Sequence, residues 1–472
     1  MTKYFLFVLF LLTCRTVAAQ QPYTVTYQQL KEFQGLYEYS NHTTLKIAAS
    51  PKDTLLYAVI GEGMYPLQPA GQDLFLDGSR NAVRFFRDKR KMVIGYSLGN
   101  DTFRLLDRKV TFPAAIWYAR PEAERKKGYR YKQPVAVSDG LETGDIAASG
   151  LNASLLSEMV EKIMDGTYKD VHSILIIKDG KLVFEEYFYQ YNKDSLHELR
   201  SVTKSFISAL TGIAIDKGYI KSKDEAVLPF FPEYKPNNFV ESKKKITVEN
   251  LLSNQTGLDC DISNSQSEGN ETKMGYSPDW VKFTLDLPMV DTPGGKGMYC
   301  SGNPVTLGRI IEKTTGLALA DFARKTLFAP MGVTHFKWHF KPDQSSSETF
   351  CQLYLRPRDM AKFGLLYLDA GKWKGQQLIS GDWVGQSLAS HSIVQNNGYG
   401  YLWWIKYLNV NGTRYYNRSA QGNGGQRICI WPDQQMVTIV TAGRYNSQSY
   451  SDELVARYVL PAFLPTVNPS SR

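Results

Sequence analysis

The chain has 472 residues, too long for one ordinary domain and comfortable for two or three. Apolar residues make up 43% and charged residues 21%, which excludes disorder, collagen or coiled coil as the whole-chain architecture. The net charge of +9 is mild for this length, so nucleic acid is not an expected partner.

Lys3 precedes an apolar run over residues 4–12, and Val17-Ala18-Ala19 offers small residues before Gln20. That pattern predicts a cleaved export leader over residues 1–19. The run is too short to span a bilayer, and nothing later approaches eighteen apolar residues. The mature chain is therefore expected to be exported, periplasmic or secreted, with no membrane span. Leu11-Leu12-Thr13-Cys14 approximates a lipoprotein box, but Thr13 stands where Gly, Ala or Ser is needed. Lipid anchoring is not expected.

Residues 20–110 read as short strands. Apolar cores at 45/47, 55–60, 74–76, 83/85, 92–94 and 103/105 are separated by turn material such as Gly61-Glu62-Gly63, Pro69-Ala70-Gly71 and Asp77-Gly78. This spacing predicts a small all-β meander closing into a barrel or half-barrel. Residues 111–150, with Pro113, Pro121, Pro134 and a charged stretch at 122–127, read as a connector. From 151 to 465 the pattern is helices mixed with strong strands. Apolar runs at 174–177 and 182–184 flank Asp179-Gly180, a hairpin signal, and runs at 428–431 and 436–442 flank Pro432-Asp433. Helical stretches at 201–217, 307–315 and 359–368 lie between. The expectation is an α+β domain with an antiparallel sheet flanked by helices and an inserted helical subdomain.

Without Cys14, the mature cysteines are Cys260, Cys300, Cys351 and Cys429, widely spaced and with no CxxC pair. Metal binding is not expected, and most of the four are expected to be buried free thiols. Cys300 reads as a packed thiol, His197 as a capping or surface residue, and the Lys243-Lys244-Lys245 run as a solvated loop.

The sharpest local feature is Arg200-Ser201-Val202-Thr203-Lys204-Ser205-Phe206. Phe206, Leu210 and Ile213 at helical spacing, closed by Gly218, put Ser201 in the first turn of a helix. Ser201 and Lys204, at i and i+3, then face the same side. Free N–H groups at the helix start favour an alkoxide, and a desolvated Lys serves as general base toward the hydroxyl. A second Ser-x-x-Lys at 242–245 lies inside the lysine run and carries no such context.

The context of Ser201 resembles the serine β-lactamase and penicillin-binding-protein superfamily, especially its class C-like branch of esterases, nylon-oligomer amidases and D-amino-acid peptidases. Ser201-Val202-Thr203-Lys204 resembles the first motif. Thr247 through Leu258 resembles T-x-x-x-L-L-x-H-T-S-G-L, with Asn254 in place of His. Tyr299-Cys300-Ser301, followed by Leu307-Gly308-Arg309-Ile310-Ile311-Glu312, is similar to the second motif, Tyr-x-Asn, with Ser301 where β-lactamases carry Asn. The aromatic string Tyr399-Gly400-Tyr401-Leu402-Trp403-Trp404 also fits. The third motif, Lys-Thr-Gly, is absent; Gln421-Gly422-Asn423-Gly424-Gly425-Gln426 stands in its place.

The resemblance implies catalysis by Ser201, Lys204 and Tyr299, and an oxyanion hole from the N–H groups of Ser201 and Asn423. It also implies substrate contacts from Ser301, Gly422, Gly424 and Trp403. The expected substrate is a small ester, amide or peptide, with no cofactor. A non-catalytic scaffold keeping the fold is the alternative. An α/β-hydrolase triad is not expected: the G-x-S-x-G match Gly95-Tyr96-Ser97-Leu98-Gly99 lies among the short strands, with no helical pattern following it to form a nucleophile elbow.

Overall fold

The structure, a computed structural model, describes residues 23–40, 43–342 and 351–463. The expected leader, its cleavage point and Cys14 fall outside them. The chain divides into two compact units, the first holding most residues up to Val110 and the second holding residues from Thr111 onward together with Ser40–Thr43 and Ile60–Met64.

The first unit contains a closed barrel of eight strands. Closure comes from the pairing of Gly35–Tyr39 with Asp101–Asp107, through Leu36 opposite Asp107 and Tyr37 opposite Leu105. Alternation puts Leu45, Ile47, Leu56, Val83, Phe85 and Tyr96 inside, all buried. Phe33 packs on Phe85 and Phe75 at centroid separations of 4.8 and 5.1 Å, and Tyr96 stacks on Phe103 at 4.9 Å. These rings fill the interior. Pro69-Ala70-Gly71, read as a turn, instead ends the strand Gly63–Gly71, where a register shift between Pro69 and Gly71 accommodates a residue without an N–H.

The second unit is built on a nine-stranded sheet. In spatial order its strands are Ser392–Val394, Asn397–Tyr399, Trp404–Val410, Thr413–Gly422, Gln426–Trp431, Met436–Ala442, Val171–Lys178, Lys181–Tyr187 and Glu142–Thr143. Neighbours are antiparallel except the last pair, which is parallel. Both ends of the unit thus meet in mid-sheet, Val171–Lys178 against Met436–Ala442.

The apolar run in Val171–Lys178 is continuous because both of its faces are covered. Ile174 and Ile176 pack in one core with Met159, Val160 and Ile163 of the helix Ala153–Met164. Leu175 and Ile177 face the other core, with Phe206, Leu210 and Ile213 of the helix Thr203–Asp216. That helix is buried from Thr203 to Ala214 and packs on the helix Gly302–Thr315, which Gly316 ends in a left-handed conformation. Among the described residues between Asp216 and Pro357, the regular elements are mainly short helices, with the strands Lys337–Trp338 and Leu353–Leu355.

One expectation for this unit is revised, that for the lysine run, and the stretch 111–150 carries more structure than a bare connector. Residues 111–150 include the edge strand Glu142–Thr143, and Tyr131 Oη both donates to the Val183 carbonyl at 2.9 Å and accepts from the Ile146 amide at 3.1 Å. The segment is packed structure. In the lysine run, Lys243 is 1% exposed and donates to the carbonyls of Leu285 at 2.7 Å and Asn237 at 3.0 Å. Leu285 lies in the last turn of the helix Trp280–Asp286, where free carbonyls favour a cation. Only Lys244 and Lys245 are solvated.

Candidate active site

Ser201 lies in a 3-10 turn, Arg200–Val202, that runs directly into the helix Thr203–Asp216. Arg200 adopts φ +50, a left-handed conformation costly for a side chain larger than glycine, so the entry to the helix is a strained corner. Lys204, in the first α-helical turn and 9% exposed, donates to Ser201 Oγ at 2.8 Å. Two flanking bonds hold this turn in place: Leu353 N donates to Thr203 Oγ1 at 3.2 Å, and Ser205 Oγ donates to the Leu402 carbonyl at 2.7 Å.

Tyr299 reaches the same place from the stretch between Asp216 and Pro357. Its ring centroid is 5.2 Å from Lys204 Nζ and 5.2 Å from the Trp404 ring. The Asn254 segment positions it: the Met298 amide donates to the Asn254 carbonyl at 2.9 Å, and Asn303 Nδ2 donates to Asn254 Oδ1 at 2.7 Å. Cys260 and Cys300 form a disulfide, which corrects the expectation of free thiols for this pair. Sequence spacing carried no sign of it, because four cysteines admit three connectivities. Cys351 and Cys429 carry no disulfide.

A cavity of about 260 Å³ opens beside Ser201. Ser201, Lys204, Ser301 and Asn423 line it, together with Arg200 and Glu271, which sequence reasoning had not singled out. Arg200 had a signal in its adjacency to Ser201; Glu271, a lone acid in a short helix, had none. Asn423 sits in the three-residue turn between Thr413–Gly422 and Gln426–Trp431, and its carboxamide bonds Asn446 at 2.7 and 2.9 Å.

Three expected substrate contacts lie away from the cavity lining. Gly422 and Gly424 are not among the lining residues. A Cβ on Gly422 would lie 2.3 Å from the Leu199 carbonyl, so this glycine permits two backbones to approach. Gly424, at φ +93, lies against the Tyr445 ring. Trp403 is fully buried, 4.7 Å from the Tyr367 ring and stacked at 5.9 Å on Phe363. It is a core residue. His197 is also buried, with Nε2 2.8 Å from His172 Nδ1, and is neither a cap nor a surface residue.

The charge pattern is asymmetric. Arg200 Nε lies 3.1 Å from Glu198 Oε1, and its guanidinium stacks 4.9 Å above the Tyr445 ring. Burial raises the Glu198 carboxyl to about 7, against the opposing pull of Arg200. Arg427, a long cation near the missing Lys-Thr-Gly, instead bonds Asp452 at 3.1 Å and does not line the cavity. Among the described residues, no cluster of His, Cys, Asp and Glu could hold a metal ion, and no helix is long and apolar enough to cross a membrane.

Residues 156–459, more than half of the chain, match the family model described as Beta-lactamase. The chain belongs to the Beta-lactamase family. It is 25% identical over 228 residues to a protein provisionally named a D-alanyl-D-alanine carboxypeptidase in Escherichia coli (strain K12), covering 42% of this chain and 51% of the relative. The chain thus spans about half the length of that curated relative. The fold is similar to that of a family VIII carboxylesterase (TM-score 0.53, 16% identity, 68% of this chain and 98% of that one). It is also similar to a penicillin-binding protein homologue from Caulobacter crescentus (TM-score 0.51, 16% identity, 67% and 99%).

Proposed function

We propose that the protein is a serine hydrolase acting on small esters or amides through an acyl-enzyme, with residues 151–465 as its catalytic domain. The observation that carries the reading is the 2.8 Å bond between Lys204 Nζ and Ser201 Oγ, made at the wall of a cavity by a largely buried lysine. With Lys204 as the neutral amine, its lone pair takes the Oγ proton as Oγ attacks the carbonyl carbon. The N–H groups of Ser201 and Asn423 stabilise the oxyanion. Tyr299, beside Lys204, passes the proton to the leaving group as the carbonyl–heteroatom bond breaks. Water then attacks the acyl-enzyme along the reverse proton path, freeing the acid and Ser201.

An export leader at residues 1–19, a barrel domain at 20–110 and a joining segment at 111–150 complete this reading; the leader's composition supports a mature enzyme outside the cytoplasm. The test is turnover of 4-nitrophenyl butyrate by the wild type and by Ser201→Ala. The reading requires that the variant keep less than about one hundredth of the activity with an unchanged circular dichroism spectrum. Retained turnover would remove Ser201 from the mechanism.

A further inference from the structure

Among the described residues, three acidic or basic side chains line the cavity, and two of them are engaged. Arg200 is ion-paired with Glu198, and Lys204 donates to the nucleophile. Glu271 differs: among the described residues it makes no ion pair, although its helix neighbour Lys273 pairs with Glu268 at 3.4 Å. Its carboxylate is nonetheless held in place. Ser301, itself 5% exposed and two residues from Tyr299, donates from Oγ to Glu271 Oε1 at 2.9 Å. The site therefore presents an anchored negative charge with accepting capacity left over.

The neighbouring wall suits a cation. Trp280 and Phe340 line the same cavity, and aromatic faces attract ammonium groups, more strongly where water is displaced. Met274 and Val305 supply apolar contact for an alkyl stem. The volume, about 260 Å³, is at the small end of ligand pockets and suits a short chain with one charged end.

We infer that Glu271 is a specificity-determining residue that selects substrates carrying an alkylammonium group. The inference rests on the hydrolase reading above and names its substrate class. Cationic substrates gain attraction to the carboxylate, neutral ones gain none, and anionic ones are repelled.

The test compares 4-nitrophenyl 4-(trimethylammonio)butanoate with its uncharged isostere, 4-nitrophenyl 5,5-dimethylhexanoate. Both are measured on the wild type, Glu271→Gln and Glu271→Lys, and a fluorophosphonate label at Ser201 counts competent sites. The wild type is expected to favour the cation in kcat/KM by at least about fivefold. Glu271→Gln should bring the ratio to about one, and Glu271→Lys should invert it. Added salt should erode the wild-type ratio without any mutation. A wild-type ratio near one, or a ratio unchanged in labelled Glu271→Gln, would overturn the inference and leave the hydrolase reading intact. Absence of both label and turnover in the wild type would overturn the hydrolase reading and this inference with it.

Discussion

Arg200 Nε lies 3.1 Å from Glu198 Oε1, and the residue that follows Arg200 is Ser201. The pair joins the strained φ +50 corner to a buried carboxylate, so the turn that carries Ser201 has an electrostatic anchor. Burial raises the Glu198 carboxyl from 4.5 to about 7, which means the folded protein holds that proton more tightly than the unfolded chain. Below pH 4.5 the group is protonated in both states and has no effect. As pH rises toward 7, the unfolded chain ionises first and the fold loses stability. Urea midpoints measured from pH 4.5 to 8 should therefore fall for the wild type relative to Glu198→Gln. A constant difference across that range would contradict the assignment.

The Cys260–Cys300 disulfide closes a segment that carries Glu271, Met274 and Trp280 and ends beside Tyr299. For a sequence separation of 40, loop-closure entropy gives a stabilisation of about 3–4 kcal/mol. Replacing both cysteines by Ser should lower the denaturation midpoint accordingly and reduce kcat, because the closed segment loses its tie to Tyr299. Unchanged kcat in the folded double variant would restrict the bond to a stabilising role.

Trp403 was expected to touch substrate and instead stacks in the core. Trp403→Ala should cost about 3–5 kcal/mol in chemical denaturation, with KM of the folded enzyme little affected. A large KM change with stability preserved would return Trp403 to the binding site.

The missing Lys-Thr-Gly lysine should matter for charge selection. Arg427 is engaged with Asp452, and the cavity presents Glu271. A cation against a carboxylate contributes roughly 1.5–3 kcal/mol, so its absence costs an anionic β-lactam about tenfold or more. Nitrophenyl butyrate should exceed nitrocefin and benzylpenicillin in kcat/KM by at least about tenfold. Equal or faster nitrocefin hydrolysis would mean that Arg200 leaves Glu198 to take the carboxylate.

Much of this architecture was legible where local rules decide it. The i, i+3 spacing predicted that Ser201 and Lys204 face one another, and they are hydrogen-bonded. The apolar runs at 174–177 and 182–184 around Asp179-Gly180 read as a hairpin, and the two strands pair antiparallel with Lys178 opposite Lys181. What stayed hidden depends on contacts distant in sequence. Lys243 looks solvated until the carbonyls of Asn237 and Leu285 are brought to it. Glu271 gains meaning only through Ser301, thirty residues on. Trp403 carries no periodic mark separating a core ring from a rim ring, and a glycine's use at 422 is fixed by Leu199 from another part of the chain.

The central claim is that Ser201 forms a covalent acyl intermediate. Intact-mass spectrometry of the enzyme quenched in acid during turnover of 4-nitrophenyl butyrate, followed by peptide mapping, tests it most directly. The account predicts one added butyryl group, located on Ser201 and absent from Ser201→Ala. Turnover with the acyl group on another residue, or the same adduct in Ser201→Ala, would contradict it.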